Sequence, residues 1–278
     1  MVSKHRSDLS PWIGNSVKLQ VNKEEVYVAT GNRVPEPELE SVVFIHGTGQ
    51  DHTIWVLPTR YFARHGKNVL AIDLPGHGRS GGAPLETIED MADWVIAVLD
   101  AAGLARAALV GHSLGSLVTI AAAARHPERI RAIALVSTTV PMPVAPFLLD
   151  QALENRHSAI DILNFWGFSK SAQLGGNATP GNWMLGSGMR LMEKAGPGVI
   201  FTDLNACNEY VEGLGDAAEV KCHALLILGD KDMLTPTRST RKVAEALPDA
   251  ETVILEGAGH ALLLERSDPV LDQLIRVV

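Results

Sequence analysis

Short apolar runs recur along this chain with amphipathic or alanine-rich stretches between them, and this alternation narrows the fold more than any other feature. A run of four to seven apolar residues is what a strand covered on both faces requires. Parallel neighbours in such a sheet need long crossovers, which helices supply. The runs predict strands at 16–21, 26–30, 42–46, 69–73, 108–111, 132–136, 224–229 and 252–256. The first two are polar enough to be antiparallel edge strands. The later ones read as covered on both faces. The expected fold class is α/β: a mostly parallel eight-stranded sheet with helices on both faces.

Between strands four and five, Ile88, Met91, Ala92, Val95, Ile96 and Leu99 form one apolar stripe at helical spacing. Thr87 and Asp90 have the spacing of a capping box at its start, and Gly103 lies just past its end. The helix after strand five carries Ala121 to Ala124, which keeps it thin enough to lie close to the sheet, and Pro127 marks its exit. From about residue 141 to 215 the alternation stops. That stretch is rich in aromatics and methionine, with glycine- and asparagine-rich loops around 175–177 and 180–182. It is expected to be a helical cap (141–215) inserted into a core formed by 1–140 and 216–278.

The formal charge of −8 disfavours nucleic acid, whose phosphates need a cationic surface, and argues against anionic membranes. No apolar run reaches membrane-spanning length. The first eight residues are polar and lead into no apolar h-region, so no secretory signal is expected. Cys207 and Cys222 match no disulfide or metal framework, and a cytoplasmic location with two free thiols is expected. The ten histidines show no metal-ligand spacing. Neither a metal nor a cofactor is expected.

The chemistry-bearing residues sit at strand ends. Residues 111–115 read Gly-His-Ser-Leu-Gly, a Gly-x-Ser-x-Gly pattern at the end of strand five. A serine there is held on a tight strand-to-helix corner with its hydroxyl exposed above the sheet. Serine is a poor nucleophile until a base lies within reach, itself oriented by an acid. Strand seven runs into Gly229-Asp230-Lys231-Asp232, and strand eight into Gly257-Ala258-Gly259-His260. Both loops lie at carboxyl ends of strands, where open α/β sheets place their sites. Asp230 and Asp232 are both placed to be the acid. An oxyanion would sit at the N-terminus of the helix after Ser113, where unpaired N–H groups and the helix dipole favour negative charge.

The order Ser113, Asp232, His260 resembles the α/β-hydrolase superfamily, specifically serine hydrolases with a helical cap of the esterase and enol-lactonase kind. The resemblance extends to His46-Gly47-Thr48-Gly49 and to residues 73–80, Asp-Leu-Pro-Gly-His-Gly-Arg-Ser. It implies Ser113 as nucleophile, His260 as base, and Asp232 rather than Asp230 as the orienting acid. It also implies the backbone N–H groups of Thr48 and Leu114 as oxyanion donors. His46, His77 and His112 are read as hydrogen-bonding loop residues. Phe165, Trp166, Trp183 and Met184 are the expected cap residues of the pocket wall. The expected activity is hydrolysis of a small to medium ester or lactone through an acyl-enzyme, with a small-molecule substrate and no nucleic-acid or membrane partner. A lyase, perhydrolase or C–C hydrolase use of the same triad, or a slow-turnover sensor, is the alternative.

Overall fold

A computed structural model describes residues 16–176 and 181–278. The polar N-terminus and the expected loop positions Asn177 and Pro180 lie outside the described residues. Strands β1 (Ser16–Val21), β2 (Glu24–Ala29), β3 (Ser41–Ile45), β4 (Asn68–Ile72), β5 (Ala107–His112), β6 (Ile130–Val136), β7 (His223–Gly229) and β8 (Ala250–Leu255) all form within two residues of their expected positions. They make one sheet in the order β1-β2-β4-β3-β5-β6-β7-β8. The β1/β2 and β2/β4 pairs are antiparallel and the others parallel. Two expectations are corrected. β2 is no edge, because it pairs on both sides. β8 is the second edge, and its residues alternate between exposed and half-buried rather than being covered on both faces.

The period-two geometry of strands explains why the central runs are apolar at every position. Val43, Ile45, Leu70, Leu109 and Ile133 turn to one face, while Val42, Phe44, Val69, Val110 and Ala134 turn to the other. Each face must therefore be covered. Helices α1 (Val56–Arg64), α2 (Ile88–Ala101) and α3 (Leu114–Arg125) follow β3, β4 and β5. Between β6 and β7 run α4 (Pro146–Leu153), α5 (His157–Gly167), α6 (Lys170–Gln173), α7 (Met184–Met192), α8 (Val199–Glu209) and α9 (Gly213–Glu219). The C-terminal part contributes α10 (Thr237–Ala246), α11 (Leu262–Glu265) and α12 (Ser267–Ile275). Residues of α2 and α3 join the first face, and residues of α1 and α12 join the second.

Helix α2 shows how the sequence sets its own limits. Thr87 Oγ1 accepts the Asp90 N–H at 3.1 Å, satisfying one orphan donor of the first turn. At the other end the Leu104 N–H reaches the Leu99 carbonyl and the Gly103 N–H reaches that of Asp100. This is a Schellman closure with Gly103 at φ +69°. The stripe between them is buried, each large side chain contributing roughly 1.5–3 kcal/mol.

The helical segment after β6 packs partly on itself: Leu148 and Ala152 of α4, Ala159 and Leu163 of α5 and Leu204 of α8 form a separate small core. Helix α9 packs against α3, so the boundary expected at residue 215 falls inside a helix seated on the sheet layer.

Candidate active site

Ser113 stands between β5 and α3 at φ +53°, ψ −120°, a conformation costing of order 1–3 kcal/mol for a residue with a side chain. The surroundings impose it. The Ser113 N–H donates to the Val136 carbonyl at 3.0 Å, and the Ser113 carbonyl accepts the Ser116 N–H at 2.8 Å. The flanking glycines make room: a Cβ on Gly111 would lie 2.0 Å from the Gly115 carbonyl oxygen, and one on Gly115 would lie 2.4 Å from that of Ile45. Helix α3 therefore starts directly against β3 and β5, and only glycine fits at both positions.

His260 and Asp232 meet on the adjoining strand ends. His260 Nδ1 lies 2.9 Å from Asp232 Oδ2. A carboxylate only accepts, so the ring carries its proton on Nδ1, and Nε2 of the neutral imidazole is left as an acceptor. Asp232 Oδ1 accepts the Leu234 and Thr235 N–H groups at 2.9 and 2.7 Å, and Oδ2 also accepts the Thr235 hydroxyl at 2.6 Å. Burial opposes a charge on Asp232, but the His260 ring and these donors outweigh it and hold the carboxyl below the usual aspartate range. Asp230 is turned elsewhere. It takes the Gly257 N–H at 2.6 Å and pairs with Lys231 at 2.8 Å, which ties the two loops together.

The His260 loop is fixed from both sides. The His260 carbonyl accepts Ser137 Oγ at 2.8 Å and lies 3.1 Å from His112 Nε2. Burial, reinforced by the nearby His260, lowers the His112 pKa to about 3. Its other ring nitrogen, Nδ1, lies 3.2 Å from Gln50 Oε1. Glu265, on α11, is buried and receives on Oε1 the Gly259 N–H at 3.2 Å and the Ser169 N–H, just before α6, at 3.1 Å.

Ser113, His260, Thr48 and Gln50 open onto one cavity of about 440 Å³ between the strand ends and the helical segment after β6. Leu114 is the first residue of α3, so its N–H has no acceptor within the helix. Of the four expected wall residues, only Trp166 lines the cavity. Phe165, its neighbour on α5, is turned about 100° away and is 49% exposed. Trp183 is 66% exposed, and Met184 is 3% exposed but buried against Phe168, Ala172 and Leu185. The wall is made instead by Met142, Leu148, Leu163, Leu191 and Leu234, among others.

The three loop histidines are hydrogen-bonded. His46 donates from Nδ1 to the Gly47 carbonyl and accepts the Leu74 N–H on Nε2; burial, aided by the nearby His77, lowers its pKa to about 4. His77 donates to the Pro75 carbonyl and faces Asp203 of α8 at 2.9 Å. Asp51, His52 and Asp73 bring possible metal-ligand atoms within 4.8 Å of one another. The Asp73 carboxylate is already occupied, taking the His52 N–H at 2.7 Å, His52 Nδ1 at 2.8 Å and the Arg79 N–H at 2.9 Å. This accounts for the 73–80 motif as a braced loop.

Thr235, Glu265 and Asp203 escaped the reading of the sequence. Asp203 alone had a visible signal there, as an acid four residues from Val199 and Cys207 on the otherwise apolar buried side of its helix.

The fold agrees with the comparisons. The alpha/beta hydrolase family model matches residues 42–273, and the chain belongs to that family. It is a hydrolase by that membership. The chain is 24% identical over 265 residues to (E)-2-((N-methylformamido)methylene)succinate hydrolase of Acinetobacter baylyi, a match covering 93% of this chain and 95% of that one. A thermophilic esterase structure superposes with a TM-score of 0.77 at 25% identity, covering 94% of this chain and 96% of that one. The enol-lactonase of Burkholderia xenovorans LB400 shares the fold, with a TM-score of 0.80 at 24% identity over 93% and 98% of the two chains. Among the described residues, no helix is long and apolar enough to cross a membrane.

Proposed function

We propose that this chain hydrolyses a carboxylic ester or lactone of a small to medium, apolar or singly anionic compound through an acyl-Ser113 intermediate. One observation carries the reading. Ser113, on its strained corner, shares a cavity with a histidine whose Nδ1 is committed to a buried aspartate. In this reaction Ser113 Oγ attacks the acyl carbon as His260 Nε2 takes its proton. His260 then returns that proton to the departing alcohol, and water repeats the attack on the acyl-enzyme to release the acid. Asp232 holds the ring and offsets its transient charge, and the Thr48 and Leu114 N–H groups receive the oxyanion.

The cavity size suits a small-molecule ligand. Its wall is mainly apolar, its charged side chains are Arg190 and Lys194, and no carboxylate is among the described lining residues. In a chain of net charge −8, that lining favours a neutral or monoanionic compound. The structurally similar thermophilic esterase is consistent with acyl hydrolysis here. Cys207 also reaches the cavity, but burial pushes its thiol pKa up and keeps it protonated, which leaves Ser113 as the nucleophile.

The test is turnover of short p-nitrophenyl esters. Ser113→Ala is expected to lower kcat by about a thousandfold or more and to abolish labelling by a fluorophosphonate. Unchanged turnover in that variant would remove Ser113 from the mechanism.

A further inference from the structure

Helix α8 places a carboxylate where the core chemistry has no evident use for one. The Asp203 side chain is fully buried, and its Oδ2 accepts the Gly49 N–H at 2.8 Å and faces His77 Nε2 at 2.9 Å. His77 Nδ1 donates to the Pro75 carbonyl, so both ring nitrogens lie against oxygen atoms, a setting that favours charge on the ring, and the pair is sealed from water. Burial disfavours that charge on His77, yet the Asp203 carboxylate outweighs it and raises the ring's affinity for its proton. Asp203 Oδ1 has no hydrogen-bond partner. A buried pair of this kind adds little net stability, because desolvation offsets most of the attraction. What it does supply is position.

The position it sets is that of the loop after β3. Gly49 follows Thr48, and its N–H is taken by Asp203. The loop lies directly under α8, since a Cβ on Gly49 would lie 3.1 Å from Ile200. Cys207, one turn beyond Asp203, lines the same cavity as Thr48. Asp203 and Ile200 of α8 thus fix the residue that follows Thr48, and His77 holds the carboxylate in place from the core.

We propose that Asp203, clamped by His77, is a positioning residue that aims the Thr48 amide at the oxyanion. The inference rests on the acyl-enzyme reading above. It makes the helical segment after β6 a structural part of the oxyanion site as well as a wall of the pocket. Misplacing one donor by less than an ångström is enough to lower kcat substantially while substrate binding is retained.

The experiment compares Asp203→Ala and Asp203→Asn on a p-nitrophenyl ester, with active sites counted by fluorophosphonate titration. With its oxygen in the place of Oδ2, asparagine can still accept the Gly49 N–H and an N–H from His77 Nε2. The alanine variant is expected to lose about thirtyfold in kcat with KM changed less than about threefold, and asparagine to restore most of the rate. If the alanine variant does not fold, His77→Gln serves in its place, and about a fivefold loss in kcat at constant KM is expected from the loosened clamp. A kcat per active site within twofold of the parent in the folded variant, or a loss confined to KM, overturns the inference. A parent protein that turns over no ester and takes no fluorophosphonate removes the acyl-enzyme reading instead, so the two failures are distinguishable.

Discussion

Thr235 Oγ1 lies 2.6 Å from Asp232 Oδ2 and 3.1 Å from His260 Nδ1, so one hydroxyl touches both members of the acid–base pair. The hydroxyl proton goes to the carboxylate, which fixes the oxygen that also receives the imidazole. Thr235→Val keeps the shape and removes the donor. Losing one charge-assisted hydrogen bond at this place is expected to lower kcat/KM by about tenfold. Steady-state kinetics on a short ester checks it, and an unchanged value would make Thr235 a packing residue only.

The two flanking glycines of the serine corner make a stability prediction independent of the reaction. A methyl group at residue 115 would overlap the Ile45 carbonyl, which is backbone and cannot swing aside. Gly115→Ala is expected to cost about 3 kcal/mol or more, or to prevent folding. Urea denaturation followed by circular dichroism measures it, and a loss under about 1 kcal/mol would contradict the close approach of α3 to the sheet.

Acid should unfold this protein through its neutral buried histidines. His46 and His112 have folded values of about 4 and about 3 against an ordinary value of 6.5, because burial disfavours their charged forms. Between those limits the unfolded chain binds protons that the folded chain does not. Stability is complete above the ordinary value and falls as the pH drops, by about 1.4 kcal/mol per pH unit for each ring. Asp232 and Asp73, held below the usual aspartate range, add a further loss at still lower pH. His77 acts in the opposite sense: its contribution is complete below the ordinary histidine value and is lost as the pH rises through its raised one. Denaturation midpoints at pH 5, 6 and 7 should rise with pH, and His112→Asn should make that dependence shallower. Equal slopes in parent and variant would contradict the assignment of His112.

Neighbouring aromatics on α5 should behave differently. Trp166 lines the cavity, whereas Phe165 is half exposed on the outside of the helix. Trp166→Ala is expected to change kcat/KM for medium-chain acyl esters by about tenfold or more, through lost apolar contact. Phe165→Ala should leave the chain-length profile as it is. An ester series from acetate to octanoate decides between them, and equal profiles for both variants would contradict the wall described here.

Much of this was legible in the chain because the signals are local. The central strands are runs of apolar residues whose length and flanking loops identify them, and Ser113, Asp232 and His260 each sit in a short motif at a strand end. Edge position was not legible. β8 is apolar at Val253, Ile254 and Leu255 yet has a neighbour on one side only, which depends on strand order rather than composition. The pocket wall was missed for a related reason. A stretch such as 183–192 shows that a helix has an apolar side, but not whether that side meets the cavity, a neighbouring helix or solvent. Met184 went to a neighbouring cluster and Trp183 to the surface. Asp203 and Glu265 make contacts 154 and 96 residues away along the chain, and no local pattern reports partners so distant.

The Glu265 bridge has a practical consequence for anyone reshaping the specificity of this enzyme. One carboxylate oxygen serves both the turn that presents His260 and the backbone at Ser169, so the roof and the floor of the cavity share a fastener. Grafting a roof from another family member would change more than which compounds fit. Unless the donor segment offers an amide at the same place, the graft would also release the turn that carries the imidazole, and selectivity and speed would shift together.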